Sequence, residues 1–156
     1  MKVGVFPGSF DPITLGHLDI IRKSERIFDK IIIAIGENNS KKSFFPAEKK
    51  IQMIKKIFQG NKNISIKKYK TLTVEFCKSN NAQFIIRGLR NSLDFETERQ
   101  LALMNEELEK SITTIFVPCN KAYTIISSSL VKEVIKNKGN FEKFIPREII
   151  SEIKNM

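Results

Sequence analysis

Histidine and cysteine are nearly missing from this sequence: among 156 residues there is one histidine, His17, and two cysteines, Cys77 and Cys119. The cysteines are too far apart to form a closely spaced pair, so they read as reduced thiols. With one histidine no site that needs two histidines can exist, and the two cysteines imply no metal or disulfide framework. No apolar run is long enough to cross a bilayer. The opening "MKVGVFPGSF" lacks the apolar stretch and cleavage site of a secretory leader, and a cytoplasmic location without membrane association is expected. No internal repeat, linker or low-complexity segment is present.

Lysine, by contrast, is abundant. The net charge is +10, and only 6 of the 27 basic residues are arginine. A charge of this size invites a nucleic-acid reading. However, the lysines are spread along the chain in pairs such as Lys55-Lys56 and Lys67-Lys68, with no dense basic arm. They read as a solvated surface, and a small anionic substrate would suit the same charge. The hydrophobic share of 41% is ordinary for a globular chain, and the length fits one domain over residues 1–156.

Apolar runs and helical patterns alternate. "KVGVF", "KIIIAIG", "NISIKKY", "QFIIRG" and "TTIFVP" read as strands, the second buried on both faces and the third nearer an edge. Helices are expected over about His17–Phe28, with Leu18, Ile21 and Phe28 on one side, and from Pro46 through Phe58. Further helices are expected over Thr73–Asn80, Ser92–Glu109, Ser127 to a Gly139 stop, and a short terminal segment. The alternation predicts an α/β, Rossmann-like doubly wound domain: a five-stranded parallel sheet with helices on both faces.

In such sheets ligands bind beyond the carboxyl ends of the strands, near a topological switch point. The segments that follow the strands are "PGSFDPITLGH", "GENNSKK", "KTLT", "RGLR" and "PCNKAYTIISSS". All are polar, and they bring His17, Lys41, Arg87 and Arg90 to one rim. In "GSFDPITLGH", Gly8 and Gly16 leave backbone N–H groups open to a phosphate chain, and Ser9 adds a hydroxyl. The spacing fits neither the dinucleotide fingerprint nor the Walker loop. His17, at a helix start, can donate to a phosphoryl oxygen or simply cap the helix. Asp11 reads as an Asx-turn residue before Pro12. In "IIRGLRNSLDFETE", Arg87 and Arg90 are close enough to repel unless an anion or carboxylates answer them. Asp94 and Glu98 lie four apart on the next helix, so the cluster is either an ion-pair network or a phosphate clamp. "ISSS" offers more hydroxyls than one N-cap requires.

"GSFDPITLGH" resembles the T/HxGH signature of the nucleotidyltransferase superfamily, and "ISSSLVKEV" resembles its second signature. Together with "IIRGLR", "DFETE" and "LALMNEEL", the whole chain resembles the phosphopantetheine adenylyltransferases. The resemblance implies transfer of an adenylyl group from ATP to 4'-phosphopantetheine, giving dephospho-coenzyme A and pyrophosphate with Mg²⁺. Direct in-line displacement suffices, because the attacking phosphate oxygen is already anionic and needs no general base. Catalytic roles are implied for Ser9, His17, Lys41 and Arg90. ATP contacts are implied for Ser9, Phe10, His17, Gly88, Leu89, Arg90 and Glu98, and for the run Tyr123, Thr124, Ile125, Ile126, Ser127, Ser128 and Ser129. Ser9, Lys41 and Arg87 would hold the acceptor phosphate, and Leu72, Thr73, Leu101, Met104 and Asn105 its arm. No protein metal ligand is implied. A hexamer, feedback by coenzyme A and no nucleic-acid partner are implied as well. Ser9 stands where Thr is usual, Tyr123 where some members have Trp, and Thr73 is more polar than the usual occupant. Sister nicotinamide-mononucleotide adenylyltransferases and cytidylyltransferases often carry HxGH, whereas the first position here is Thr14.

Overall fold

The computed structural model describes residues 1–37 and 43–155. Strand β1 (Val3–Gly8) is followed by helix α1 (Leu15–Ser24), β2 (Lys30–Gly36), α2 (Ala47–Ile57) and β3 (Ile64–Tyr69). Next come α3 (Thr73–Ser79), β4 (Phe84–Leu89), α4 (Ser92–Leu108) and β5 (Thr113–Pro118), then α5 (Ser128–Lys136) and α6 (Ile150–Lys154). The five strands are parallel, in the order β3-β2-β1-β4-β5. The fold is therefore the expected doubly wound α/β sheet, with β3 at one edge. Chain order reverses between β1 and β4, the switch point where such sheets bind ligands.

Strand β2 is apolar throughout because both of its faces are covered. Ile31, Ile33 and Ile35 enter one core with Ile20 and Ile21 of α1, Met53 and Ile54 of α2, and Val131 of α5. Ile32 and Ala34 enter the other with Val3, Val5 and the α3 residues Val74, Phe76 and Cys77. Each Ile, Val, Met or Phe among them, fully buried, contributes about 1.5–3 kcal/mol of transfer free energy.

β1 and β4 share just the pairs Gly4↔Phe84 and Val5↔Ile85, whereas β1 and β2 stay in register from Val3↔Lys30 to Gly8↔Ile35. The strands on either side of the switch point thus part toward their carboxyl ends. Arg87 reaches into the parting, and its Nη1 donates to the Pro7 carbonyl at 3.1 Å.

Local details differ from the sequence expectation. Helix α1 starts at Leu15 and stops at Ser24, whose hydroxyl is buried and donates to the Ile20 carbonyl at 2.8 Å. Phe28 reaches the core from the turn beyond, and the fully buried apolar pair on α1 is Ile20 and Ile21. After α5 the left-handed residue is Lys138 (φ 56°), not Gly139. Gly139 instead donates its N–H to the Val134 carbonyl, and a Cβ there would stand 3.0 Å from Val134 Cγ1. Asp11 makes no Asx turn. Its buried carboxylate accepts the N–H groups of Phe44 and Phe45 at 2.9 and 2.8 Å, and so ties the loop after β1 to the start of α2.

Gly88 shows how tightly α1 is seated. A Cβ at this β4 position would lie 2.9 Å from Ile20 Cγ1. Gly88→Ala should therefore overpack the contact and cost about 1–3 kcal/mol, read as a lower urea midpoint. An unchanged midpoint would mean that α1 shifts freely on the sheet.

Candidate functional site

Among the described residues, two cavities open at the carboxyl ends of the strands. The first, about 290 Å³, lies over the switch point and is walled by Ser9, Gly16, His17, Gly88, Arg90 and Ser127, among others. The second, about 540 Å³, lies over β2 and β3 and is walled by Gly36, Glu37, Tyr69, Lys70, Thr71 and Thr73. Pro7, Gly8, Ser9 and Arg87 belong to both walls. The site is thus two chambers that meet at the end of β1.

His17 is placed by the start of α1. Thr14 is the N-cap: its hydroxyl accepts the His17 N–H at 3.4 Å, and its own N–H donates to His17 Nδ1 at 3.1 Å. This is a capping box in which an imidazole replaces the usual carboxylate or amide. With Nδ1 accepting, the ring proton belongs on Nε2. Phe6 and Phe10 pack against the ring with centroids 6.2 and 5.1 Å away. Burial first, then the positive charges of Arg90 and Arg87, lower the His17 pKa from 6.5 to about 4. At neutral pH the group is an uncharged N–H donor on the cavity wall.

The arginines are answered by carboxylates. Arg87 donates through Nε and Nη2 to the two oxygens of Glu98, a bidentate pair. Arg90 donates through Nε and Nη2 to Asp94 at 2.9 and 3.1 Å, and its backbone N–H also reaches that carboxylate at 3.0 Å. Hydrogen bonds from Arg90 hold the Asp94 carboxyl below its usual range. The ion pairs, one of the two readings of this cluster, are present, and the four side chains also line the first cavity.

The structure gathers Ser9, His17, Gly88, Arg90, Glu98, Ile126, Ser127 and Ser128 around the first cavity, and Ser9, Thr73 and Arg87 around the second. Ser127 caps α5 by accepting the Leu130 N–H at 3.2 Å, while Ser128 donates to the Pro12 carbonyl at 2.8 Å. Phe10 is not a wall residue. It is 1% exposed with φ 45°, and its ring fills the space where a Gly8 side chain would be, with ring atoms 3.0–3.4 Å from the ideal Cβ. Gly8 is thus required by packing against Phe10 as well as by the opening above it. Leu89, Tyr123, Thr124, Ile125 and Ser129 line neither cavity, and neither do Leu72, Leu101, Met104 and Asn105. Leu72, Leu101 and Met104 are at least half exposed. Lys41 lies outside the described residues.

Wall residues that the sequence reading did not single out include Tyr69, and Glu37, Lys70 and Cys119 within the rim segments. Only their places just after strands or at strand ends could have signalled them. A strut joins α1 to the segment after β5: Asp19 accepts from Lys23 at 2.7 Å and from the Asn120 N–H at 2.8 Å, and Lys23 donates to the Pro118 carbonyl. Among the described residues no three His, Cys, Asp or Glu side chains come together as a metal cage, and no helix is long and apolar enough to span a membrane.

Comparison with known proteins adds to this geometry. The cytidylyltransferase-like family profile matches residues 5–134. A Clostridium botulinum (strain Eklund 17B / Type B) protein named phosphopantetheine adenylyltransferase is 44% identical over 153 residues, covering 98% of this chain and 96% of the relative. Proteins of the same name are 42% identical in Lachnoclostridium phytofermentans (98% of this chain, 94% of the relative) and 41% identical in Alkaliphilus metalliredigens (96% of each). The chain belongs to the phosphopantetheine adenylyltransferase family. It is a nucleotidyltransferase, and its T-x-G-H segment is the capping box at the mouth of the first cavity. Membership in the phosphopantetheine adenylyltransferase family agrees with a site built from N–H donors and cations.

The His17 environment has a consequence for stability. The folded chain keeps the ring neutral down to about pH 4, while the unfolded chain protonates it near 6.5, so protons favour the unfolded state across that window. The contribution of this group is complete above pH 6.5 and is lost as pH falls toward 4. His17→Gln keeps an acceptor for the Thr14 N–H but cannot titrate. Urea titrations should show a flatter stability curve for this variant than for the parent between those pH values. Identical curves would mean that the ring is solvated in the folded protein.

Proposed function

We propose that this chain transfers the adenylyl group of ATP to 4'-phosphopantetheine, yielding dephospho-coenzyme A and pyrophosphate by direct displacement. The observation that carries this reading is the pair of chambers sharing Ser9 and Arg87. Two substrates held there, one on each side, would bring their phosphates together at the end of β1. ATP takes the first cavity, with its phosphates toward Ser9, His17, Arg90 and the start of α5. The acceptor takes the second, with its phosphate at Arg87 and its arm over β2 and β3. Lys41 is included as an acceptor-phosphate ligand by family resemblance.

In the chemical step an acceptor phosphate oxygen forms a bond to the α-phosphorus of ATP. The bond from that phosphorus to the bridging oxygen breaks, and pyrophosphate leaves with the electron pair. No proton must be removed from the nucleophile. The protein's task is alignment and stabilisation of charge on the α-phosphate. Neutral His17, with Nδ1 committed to Thr14, offers Nε2–H for that purpose without moving a proton. Magnesium fits this site as an ion carried on the ATP phosphates, which is its usual mode, since the wall carboxylates of Asp94 and Glu98 are engaged by arginines. A cytoplasmic location follows from ATP as donor. We include a homo-oligomer, a hexamer by family resemblance, supported by the exposed Leu101, Leu103, Met104 and Leu108 of α4.

A substrate panel with Mg-ATP, read by pyrophosphate release, tests the reaction. Turnover is expected with 4'-phosphopantetheine and little with nicotinamide mononucleotide or glycerol phosphate. Turnover of either alternative with phosphopantetheine inert would overturn the proposal. Arg87→Ala should weaken acceptor binding about tenfold or more and ATP binding less, because it removes a charge-assisted contact and leaves Glu98 facing the acceptor phosphate. Equal weakening of both ligands would make Arg87 a structural residue.

A further inference from the structure

We propose that the hydroxyls of Tyr69 and Thr73 form a hydrogen-bonding station for the acceptor's amide-bearing arm, which makes Tyr69 a specificity-determining residue. The inference rests on the assignment of the second cavity to the acceptor. Both residues line that cavity, whose wall also holds Ser9 and Arg87 at the phosphate end. Their hydroxyl oxygens are 3.1 Å apart. One hydroxyl donates and the other accepts, so one O–H and several lone pairs stay uncommitted. An amide carries both a donor and an acceptor, and so complements that remainder.

The pair is held rigidly. Tyr69 is the last residue of β3, and its ring lies 4.8 Å from that of Phe76 with 34° between the planes. Its register partner on β2 is Gly36, where even a Cβ would come within 3.8 Å of the phenol oxygen. Thr73 opens α3, whose start is fixed by the Leu72 N–H donating to Glu75 at 3.3 Å. The charged groups on the same wall answer each other, with Lys70 3.3 Å from Glu37. The hydroxyl pair is thus a neutral polar feature beside charges that answer each other, with the Phe76 ring packed against the Tyr69 ring. An alkyl arm laid over it would strand hydroxyls without partners, whereas an amide would not.

Steady-state kinetics on Tyr69→Phe and Thr73→Val test this. Each variant should raise the KM for 4'-phosphopantetheine about three- to tenfold and leave the KM for ATP within about twofold. Inhibition by an alkyl phosphate of matched length, which has no amides, should be unchanged or stronger in both variants. The two substitutions combined should cost less than the product of their separate effects, because they share one interaction. Turnover by the parent chain with an unmoved acceptor KM in both variants would overturn the hydroxyl station alone. Equal rises in the KM values of both substrates would do the same. No turnover of phosphopantetheine by the parent chain would overturn the reaction and the station with it.

Discussion

A helix that begins at the mouth of a cavity leaves its first backbone N–H groups without partners inside the helix. In α1 the chain resolves this through two residues that answer each other, Thr14 and His17. The exchange settles three things. It sets where the helix starts. It assigns the ring proton to Nε2, because Nδ1 is already an acceptor. It also favours a neutral ring, since protonating Nδ1 would break the bond to the Thr14 N–H. Burial and two nearby guanidiniums push in the same direction. A histidine in this setting serves as a fixed dipole rather than a base. Fixed donors are what a reaction needs when its nucleophile carries its own charge.

The arginines obey a related constraint. Two guanidiniums beside one cavity would repel each other and bind any anion indiscriminately. Glu98 and Asp94 each neutralise one of them. A phosphate entering the cavity must then compete with a carboxylate for part of a guanidinium fork. Such competition lowers raw affinity and increases the weight of geometry. Arg87 has further donors, and one already supports the Pro7 carbonyl where β1 and β4 part. The same side chain therefore holds the crevice in shape and presents charge to it.

The architecture was legible because its signals are strong. A short continuous run such as "KIIIAIG", rich in β-branched residues, reads as a strand covered on both faces, and the polar segments after each strand converge once the strands are parallel. The convergence of His17, Arg87, Arg90, Glu98 and Ser127 on one cavity wall follows from the same parallel order. What escaped depends on contacts between distant segments. Asp11 before a proline looks like a turn residue, yet its partners are amides more than thirty positions away. Phe10 in a glycine loop looks like a ligand contact, yet its ring sits in the space a Gly8 side chain would need. Tyr69 is visible from the sequence as the end of a strand, but nothing there shows that its hydroxyl meets Thr73. Helix ends escaped as well: Ser24 can end α1 by turning its hydroxyl back on the Ile20 carbonyl, a local choice that periodicity does not record.

Helix α4 joins these observations. It fully buries no residue, yet one stripe of it is heavily used. Asp94, Glu98, Leu101 and Asn105 follow one another at spacings of four, three and four, so they run along one face. The first two hold the arginines, and the next two continue the same line away from the ion pairs, with Leu101 half exposed. The stripe therefore changes from charged carboxylates to uncharged side chains within about three turns. Removing apolar surface from water gains about 25 cal/mol per Å², and Leu101 and Met104 hold that gain in reserve because nothing within the described chain covers them. Their exposure is a cost that the fold bears on a helix whose first turns are committed to the two arginines.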